Sequence, residues 1–365
     1  MEAMNKGIKV VIAGGGTGGH LFPGVAIAEE FIESHQAEIL FVGVDGDLEK
    51  KILIGGGFRF AAISAGGVIG TSPHKKLVAL WKQLRGITAS LKILREFSPA
   101  IVLGMGGYAS VPCIIAAKLL AIPTAVAEQN SIPGVANRLL GRVVKKVFIS
   151  MAMSQKYFPP NKVLLTGNPI RKGFLTKITS LKEKRHALVL VCGGSQGARA
   201  INEAMMAGAQ YLKQSEVEII HQCGQSGDIA ALQGAYAKAQ IKAQVVPFID
   251  DMPGALCKAD LVISRAGATT IAELLVAGKP AILVPFPFAA SDHQRHNAMN
   301  LADCGAAMVV EERELQRDGS ALALKIKGLL AEKDKRELMA HNARALGKPS
   351  ATADVVAECI KLARR

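Results

Sequence analysis

The stretch VVIAGGGTGGHLFPGVAIAEEF, residues 10–31, decides the reading of the fold. An apolar run beginning at Val10 breaks into five glycines, a threonine and His20, then resumes with amphipathic spacing. A short β-branched run, a glycine-rich turn and a helix pattern is the opening of a doubly wound α/β domain. The same grammar returns half a chain later in LVLVCGGSQGA, residues 188–198. One opening turn predicts one parallel sheet, and two predict two.

Between and beyond these turns, strand-like runs alternate with helix-length segments. They fall at 8–13, 38–43, 58–63, 100–104, 123–127 and 145–149, then at 186–192, 217–222, 243–248, 259–264 and 280–286. The polar, basic segment 166–186, broken by Pro169, reads as the linker between the halves. The expected class is therefore α/β: two Rossmann-like, doubly wound parallel-sheet domains facing across a cleft. The predicted boundaries are 1–170 plus about 349–365 for the first domain and 171–348 for the second, the C-terminal helix pattern ATADVVAECIKLARR being assigned back to the first.

A chain of 365 residues, half of them apolar, is too long for one ordinary core. The segment before Val10 is short and polar and does not read as a secretory signal. The longest apolar stretch, 111–127, is interrupted by Pro112, Lys118 and Pro123, which speaks against a spanning helix. Six cysteines without a CxxC pair read as reduced thiols, not as a disulfide frame or metal site. Lysine and arginine outnumber acids 44 to 30, a net charge of +14, which predicts an anionic partner. Aromatic residues are only 5% of the chain, too few for the stacking platforms that single-stranded nucleic acid requires, so no nucleic-acid partner is expected.

Glycines after a strand let a ligand approach the backbone, and the helix that follows offers unsatisfied N–H groups to phosphate. Gly14, Gly16 and Gly19 fit a dinucleotide pattern with Asp45 at the end of the next strand, so a dehydrogenase is a rival reading. It leaves the second glycine turn unexplained, and it leaves a bulky histidine where a pyrophosphate should pack. GMGGY (104–108) and AEQN (127–130) also follow strands of the first half and should share a rim with the first turn. The alternative for any one of these turns is tight helix–sheet packing.

In the second half, 259–287 reads as strand, small-residue turn, helix, turn and strand. Ala268 to Ile271 would supply helix-start amides for a phosphate, with Thr269 and Thr270 as extra donors. Glu273, about one turn into that helix, could accept both hydroxyls of a ribose. Its alternative is an acid that complements the helix dipole. Asp292, His293, Gln294, His296 and Asn297 crowd a loop on the same rim and suit sugar hydroxyls better than a metal, for which the spacing is unpersuasive. Asp45-Gly46-Asp47 looks like a metal-binding DxD, but it precedes a helix start where acids cap and match the dipole. No metal or other cofactor is expected.

Taken in order, GGGTGGHLFPGVAIAEE, GMGGYAS, AEQNSIPGVANR, TGNPIR, GGSQGARAIN, FIDDM, RAGATTIAEL and DHQRHNA resemble the MurG-type N-acetylglucosaminyltransferases of glycosyltransferase family 28 over nearly the whole chain. The resemblance implies a GT-B fold and inverting transfer of N-acetylglucosamine from UDP-GlcNAc to the muramoyl C4 hydroxyl of undecaprenyl-diphosphate-MurNAc-pentapeptide (lipid I), forming lipid II for peptidoglycan. It implies Glu273 on the ribose, Ser195 and Arg171 on the diphosphate, and Ile249 on the uracil. Ala268, Thr269, Thr270, Ile271 and Ala272 would support phosphates and sugar, and Gln294 would bind the sugar hydroxyls. Thr17, Gly18, Gly19 and Asn130 would reach the donor from the first domain. The acceptor diphosphate would suit Gly15, Gly16, Gly106, Gly107 and Tyr108. His20 is the first choice of general base, since an imidazole pKa of about 6.5 suits neutral pH, and Glu128 the second. Another GT-B nucleotide-sugar enzyme, such as a UDP-GlcNAc 2-epimerase or a glycolipid glycosyltransferase, is the alternative.

Residues 74–97 place Leu77, Trp81, Leu84, Thr88 and Leu91 on one helical stripe flanked by Lys75, Lys76, Lys82, Arg85, Lys92 and Arg95. Such a stripe can pack onto the sheet, lie among lipid headgroups, or do each in part. With a lipid-linked acceptor implied, the expectation is peripheral binding to an anionic membrane surface, at the cytoplasmic face of the inner membrane.

Overall fold

A computed structural model describes residues 7–66, 73–176, 186–194, 196–213, 215–315 and 318–364. Contacts divide the chain into two units, Met1–Arg171 with Ser350–Arg365, and Lys172–Pro349.

In the first unit, β1 (Lys9–Gly14), β2 (Glu38–Gly43), β3 (Arg59–Ala62), β4 (Ile101–Gly106), β5 (Thr124–Glu128), β6 (Lys146–Ile149) and β7 (Val163–Leu165) form one parallel sheet in the order β3-β2-β1-β4-β5-β6-β7. The helices are α1 (Gly18–His35), the short α2 (Asp47–Glu49), α3 (Pro73–Phe97), α4 (Ser110–Leu119) and α5 (Val135–Val143). β1 shows why its run is apolar without alternation. Val10 and Ile12 enter a core with Phe31 of α1, while Val11 and Ala13 enter a second core with Leu94 of α3 and Ile114 of α4. Both faces are covered, as a parallel sheet requires.

The second unit opens with α6 (Gly173–Thr176). Its sheet holds β8 (Ala187–Cys192), β9 (Val217–Gln222), β10 (Lys242–Val246), β11 (Leu261–Ser264), β12 (Ala281–Leu283) and β13 (Ala307–Val309), all parallel, in the order β10-β9-β8-β11-β12-β13. α7 (Arg199–Gly208), α8 (Ile229–Lys238), α9 (Met252–Lys258), α10 (Ala268–Ala277), α11 (His293–Asp303), α12 (Ser320–Ala331) and α13 (Lys333–Leu346) surround it. Val189 and Val191 pack with Ile201 of α7, Leu232 of α8 and Ile326 of α12. The last helix, α14 (Ala351–Ala363), belongs to the first unit: Val355, Val356 and Cys359 join the core containing α1, and Thr352 Oγ1 bonds both the N–H and the C=O of Ile170.

In each sheet the order reverses once, between β1 and β4 and between β8 and β11. Ligands of open α/β sheets bind outside the strand C-termini at such points. The glycine turns quoted above lie at these two places. β7 and β13, three residues each, are edge strands without a sequence expectation.

The structure decides two local readings. The apolar stripe of α3 is not its packing face: Trp81 is 58% and Leu84 54% exposed, while Ala79, Gly86, Ser90, Leu94 and Phe97 are buried. Gly86 lies on the packed side, where a Cβ would run into the Ser64 carbonyl oxygen and stand 3.1 Å from Pro112 Cβ of α4. Trp81 instead carries the Arg85 guanidinium 4.7 Å over its ring. The side chains of Lys75, Lys76 and Leu77 lie outside the described residues. Asp45 pairs with Lys50 at 2.8 Å and Asp47 opens α2, the helix-start reading of that triplet.

The six cysteines are free thiols. Burial pushes Cys113 and Cys192 up to about 12, so both are neutral and unreactive.

Candidate functional site

At the first switch point the register of β1 against β4 slips after Ala13, which sets Gly14 beside Gly106. The backbone then turns through Gly14, Gly15 and Gly16, all at positive φ. Beneath this turn lies Glu49, 2% exposed, whose Oε1 accepts from the Gly16 N–H at 2.6 Å. A Cβ on Gly15 or Gly46 would strike that carboxylate at 2.6 and 2.4 Å. Glu49 therefore props the turn from inside, and the Gly16 amide already has an anionic partner.

α1 starts directly after the turn, with Thr17 extended at the N-cap and without a side-chain cap bond. Gly18, Gly19 and His20 form its first turn. The His20 ring rests on the turn after β4: a Cβ on Gly106 (φ +100°) would lie 2.9 Å from His20 Cε1 and 3.1 Å from Nδ1. Only glycine allows both that backbone and that contact. His20 Nδ1 is 3.1 Å from Gln129 Oε1. Gly107 lies beside Gly106, and Tyr108 is 45% exposed at the rim.

Glu128, 2% exposed, is the hub of the AEQN turn. Its Oε1 accepts from the Asn130 backbone N–H at 2.9 Å and Asn130 Nδ2 at 3.3 Å, and its Oε2 from Asn137 Nδ2 at 2.9 Å and the Gly134 N–H at 3.3 Å. Burial pushes its pKa up while these four bonds pull it down. A carboxylate holding four donors is built to orient the turn that carries Asn130. Arg171, which ends the first of the two segments of this unit, lays its guanidinium 5.0 Å over the Phe22 ring of α1.

At the second switch point Gln222, 2% exposed, donates from Nε2 to the Gly194 carbonyl at 2.8 Å and holds the turn after β8. Next to it His221 bonds Tyr236 Oη at 2.8 Å and Asn202 Oδ1 at 3.0 Å, and burial lowers its pKa to about 4, so it is a neutral strut. Ser195 lies outside the described residues. After β11, Gly267 is the N-cap of α10 and contributes no side-chain bond to the amides that follow, those of Ala268, Thr269 and Thr270. Ile271 is buried and Ala272 half-buried.

Glu273 is 8% exposed and sits beyond the first turn of α10, which holds no acid. The dipole effect fades within that turn, so capping does not account for it. Its charge also raises the Cys192 thiol, placing the carboxylate near the end of β8, at the switch point. Gln294 Oε1 accepts from the Phe286 N–H at 3.0 Å, and Asn297 Nδ2 donates to the Ala266 carbonyl at 3.2 Å, so α11 anchors both neighbouring turns. His293 Nδ1 donates to Ala290 at 2.7 Å, a local bond. Ile249 is half-buried in the turn after β10. Among the described residues no group of histidine, cysteine or acids is arranged to hold a metal.

The structure thus gathers His20, Gly106, Gly107, Glu128 and Asn130 in one unit, and Ala268–Glu273 and Gln294 at neighbouring turns of the other. Sequence reading missed Glu49, Gln129, Asn137 and Arg265. Arg265 donates to the carbonyls of Val284 and Pro285 at 3.2 and 3.1 Å and pairs with Glu312, fixing the β12 turn against the β11 turn. Glu49 lies beside the Asp45–Asp47 triplet, and Gln129 lies inside AEQN between Glu128 and Asn130.

Comparison with known proteins agrees with this geometry. The family 28 glycosyltransferase N-terminal domain matches residues 10–149, and the family's C-terminal domain matches residues 188–355. A relative from Geotalea uraniireducens, named UDP-N-acetylglucosamine–N-acetylmuramyl-(pentapeptide) pyrophosphoryl-undecaprenol N-acetylglucosamine transferase, is 44% identical over 96% of this chain and 97% of its own. One of the same name from Syntrophus aciditrophicus is 44% identical over 98% of this chain and 99% of its own. The crystal structure of Acinetobacter baumannii MurG superposes with a TM-score of 0.78 at 31% identity, covering 97% of this chain and 99% of that one. The architecture is GT-B, and the chain belongs to glycosyltransferase family 28, in its MurG group.

Proposed function

We propose that this chain transfers N-acetylglucosamine from UDP-GlcNAc to the C4 hydroxyl of MurNAc in undecaprenyl-diphosphate-MurNAc-pentapeptide, producing lipid II. The observation that carries the reading is the joint placement of TGGH, GMGGY and AEQN at one switch point. It occurs in a chain whose near-full-length relatives bear this reaction in their names.

The donor is assigned mostly to the second unit: Glu273 would take the ribose hydroxyls, Ser195 and the amides from Ala268 to Thr270 the diphosphate, Ile249 the uracil through its backbone and Gln294 the sugar, with Arg171 of the first unit also on the diphosphate. Thr17, Gly18, Gly19 and Asn130 complete the donor contacts, and the turn 104–108 with Gly15 and Gly16 serves the acceptor diphosphate. An acceptor there displaces or repels Glu49 from the Gly16 amide, since two anions cannot share one N–H. The acceptor oxygen attacks the anomeric carbon opposite the leaving UDP, the C1–O bond to UDP breaks, and the configuration inverts. Helix-start amides and the Arg171 guanidinium stabilise the charge that gathers on UDP. His20 takes the hydroxyl proton, while Glu128 orients Asn130.

Incubation with UDP-GlcNAc and a short-chain lipid I analogue tests this. The product is expected to gain the mass of one N-acetylhexosamine, and free sugar epimers without lipid product would favour the epimerase reading instead.

The acceptor's lipid tail calls for a membrane surface. Among the described residues no helix is long and apolar enough to cross a membrane, but α3 presents Trp81, Leu84 and Thr88 outward between exposed Lys82, Arg85, Lys92 and Arg95. Peripheral binding of this face to anionic lipid fits both its shape and the +14 charge. A basic residue at an anionic surface contributes about 1 kcal/mol, so Lys82→Glu and Arg85→Glu are each expected to weaken vesicle partitioning at least about fivefold. Sedimentation with anionic and zwitterionic vesicles checks this; binding indifferent to lipid charge and to salt excludes it.

A further inference from the structure

The geometry points to Gln129 as the positioning residue that sets the tautomer of His20, an inference that rests on the reading of His20 as the general base. Gln129 follows β5 and is 1% exposed. Its Nε2 donates to the carbonyls of Met105 at 3.1 Å and Ala127 at 3.2 Å. Carbonyl oxygens only accept, so the amide has one acceptable orientation. Turned over, it would set its oxygen against two others and leave two carbonyls without this donor. Oε1 must therefore face His20 Nδ1, 3.1 Å away. That oxygen also only accepts, so Nδ1 carries the hydrogen. A neutral imidazole has one N–H, and the lone pair is then on Nε2.

The chain of dictation runs from the sheet outward. Backbone carbonyls of β4 and of β5 orient a buried amide, the amide assigns the proton of the ring, and the ring offers Nε2 to the acceptor hydroxyl. Gly106 completes the arrangement by leaving room for the ring's Cε1 and Nδ1, where a Cβ would collide. During transfer the hydroxyl proton moves to Nε2, giving an imidazolium whose Nδ1–H still donates to Gln129. A neutral amide suits this task. Unlike a carboxylate, it orients the ring without holding it protonated before the substrate arrives.

The test combines a spectroscopic readout with kinetics on the full chain. With 15N-histidine label above pH 8, long-range 1H–15N spectra distinguish the two ring nitrogens, and His20→Gln assigns the His20 signals. Wild type is expected to show His20 protonated at Nδ1. Gln129→Met, which keeps the length and loses the amide, is expected to show the opposite or a mixed tautomer. Its kcat should fall tenfold or more, the KM for UDP-GlcNAc should stay within about twofold, and the pH profile of kcat should shift. Wild-type His20 protonated at Nε2 overturns the assignment outright, whether or not the variant folds. A changed tautomer in Gln129→Met with unchanged kcat, while His20→Ala is crippled, overturns the role of Gln129 and leaves the base reading standing. If His20→Ala also keeps its turnover, the base reading fails and the role of Gln129 fails with it.

Discussion

Replacing His20 with alanine is expected to lower kcat by about 100-fold or more while leaving the Kd for UDP within about twofold. General-base assistance contributes on the order of 10²–10⁴ in rate, and His20 is the titratable ring at the first switch point, seated on Gly106 and tied to Gln129. The nucleotide contacts proposed above lie on other residues, so binding and turnover should separate. Steady-state kinetics at saturating substrates, with calorimetric titration of UDP, measure the two effects independently. A His20→Ala enzyme with near-normal kcat removes His20 from the mechanism.

The second large effect belongs to Glu273. Glu273→Ala is expected to weaken UDP binding roughly 30- to 150-fold, the equivalent of about 2–3 kcal/mol for losing charged hydrogen bonds to the ribose. Glu273 is 8% exposed, stands past the first turn of α10 and lies close enough to the end of β8 to act on Cys192, the place where a ribose at the switch point would meet a carboxylate. Glu273→Gln keeps the size without the charge and should fall between wild type and alanine. Calorimetry with UDP and with its 2′-deoxy analogue checks the assignment, because the analogue should lose less affinity on mutation than UDP does. Equal losses for both nucleotides place the carboxylate away from the ribose.

Long β-branched runs and glycine turns were readable in one dimension because they are local. β2 and β9 begin and end where their apolar runs do, and every expected strand is present within a few residues. β7 and β13 were not readable, since three-residue edge strands contain too few alternating or β-branched positions to stand out from loops. Which side of α3 packs inward was not readable for a related reason. An apolar stripe is visible in a sequence, but Ser64 and Pro112, which force close approach at Gly86, are distant in it.

Twin parallel sheets and the positions of their glycine turns followed from residue order, because strand, turn and helix signals act over a few neighbours, while the sugar-transfer chemistry came from the resemblance of the ordered motifs to family 28. The division of labour inside AEQN did not. Whether Glu128 is base or brace, and which ring nitrogen of His20 holds a proton, depends on hydrogen bonds such as that from His20 to Gln129, 109 residues away. That bond exists only once β1, β4 and β5 lie side by side and bring the helix after β1 to the turn after β5, so folding alone selects it.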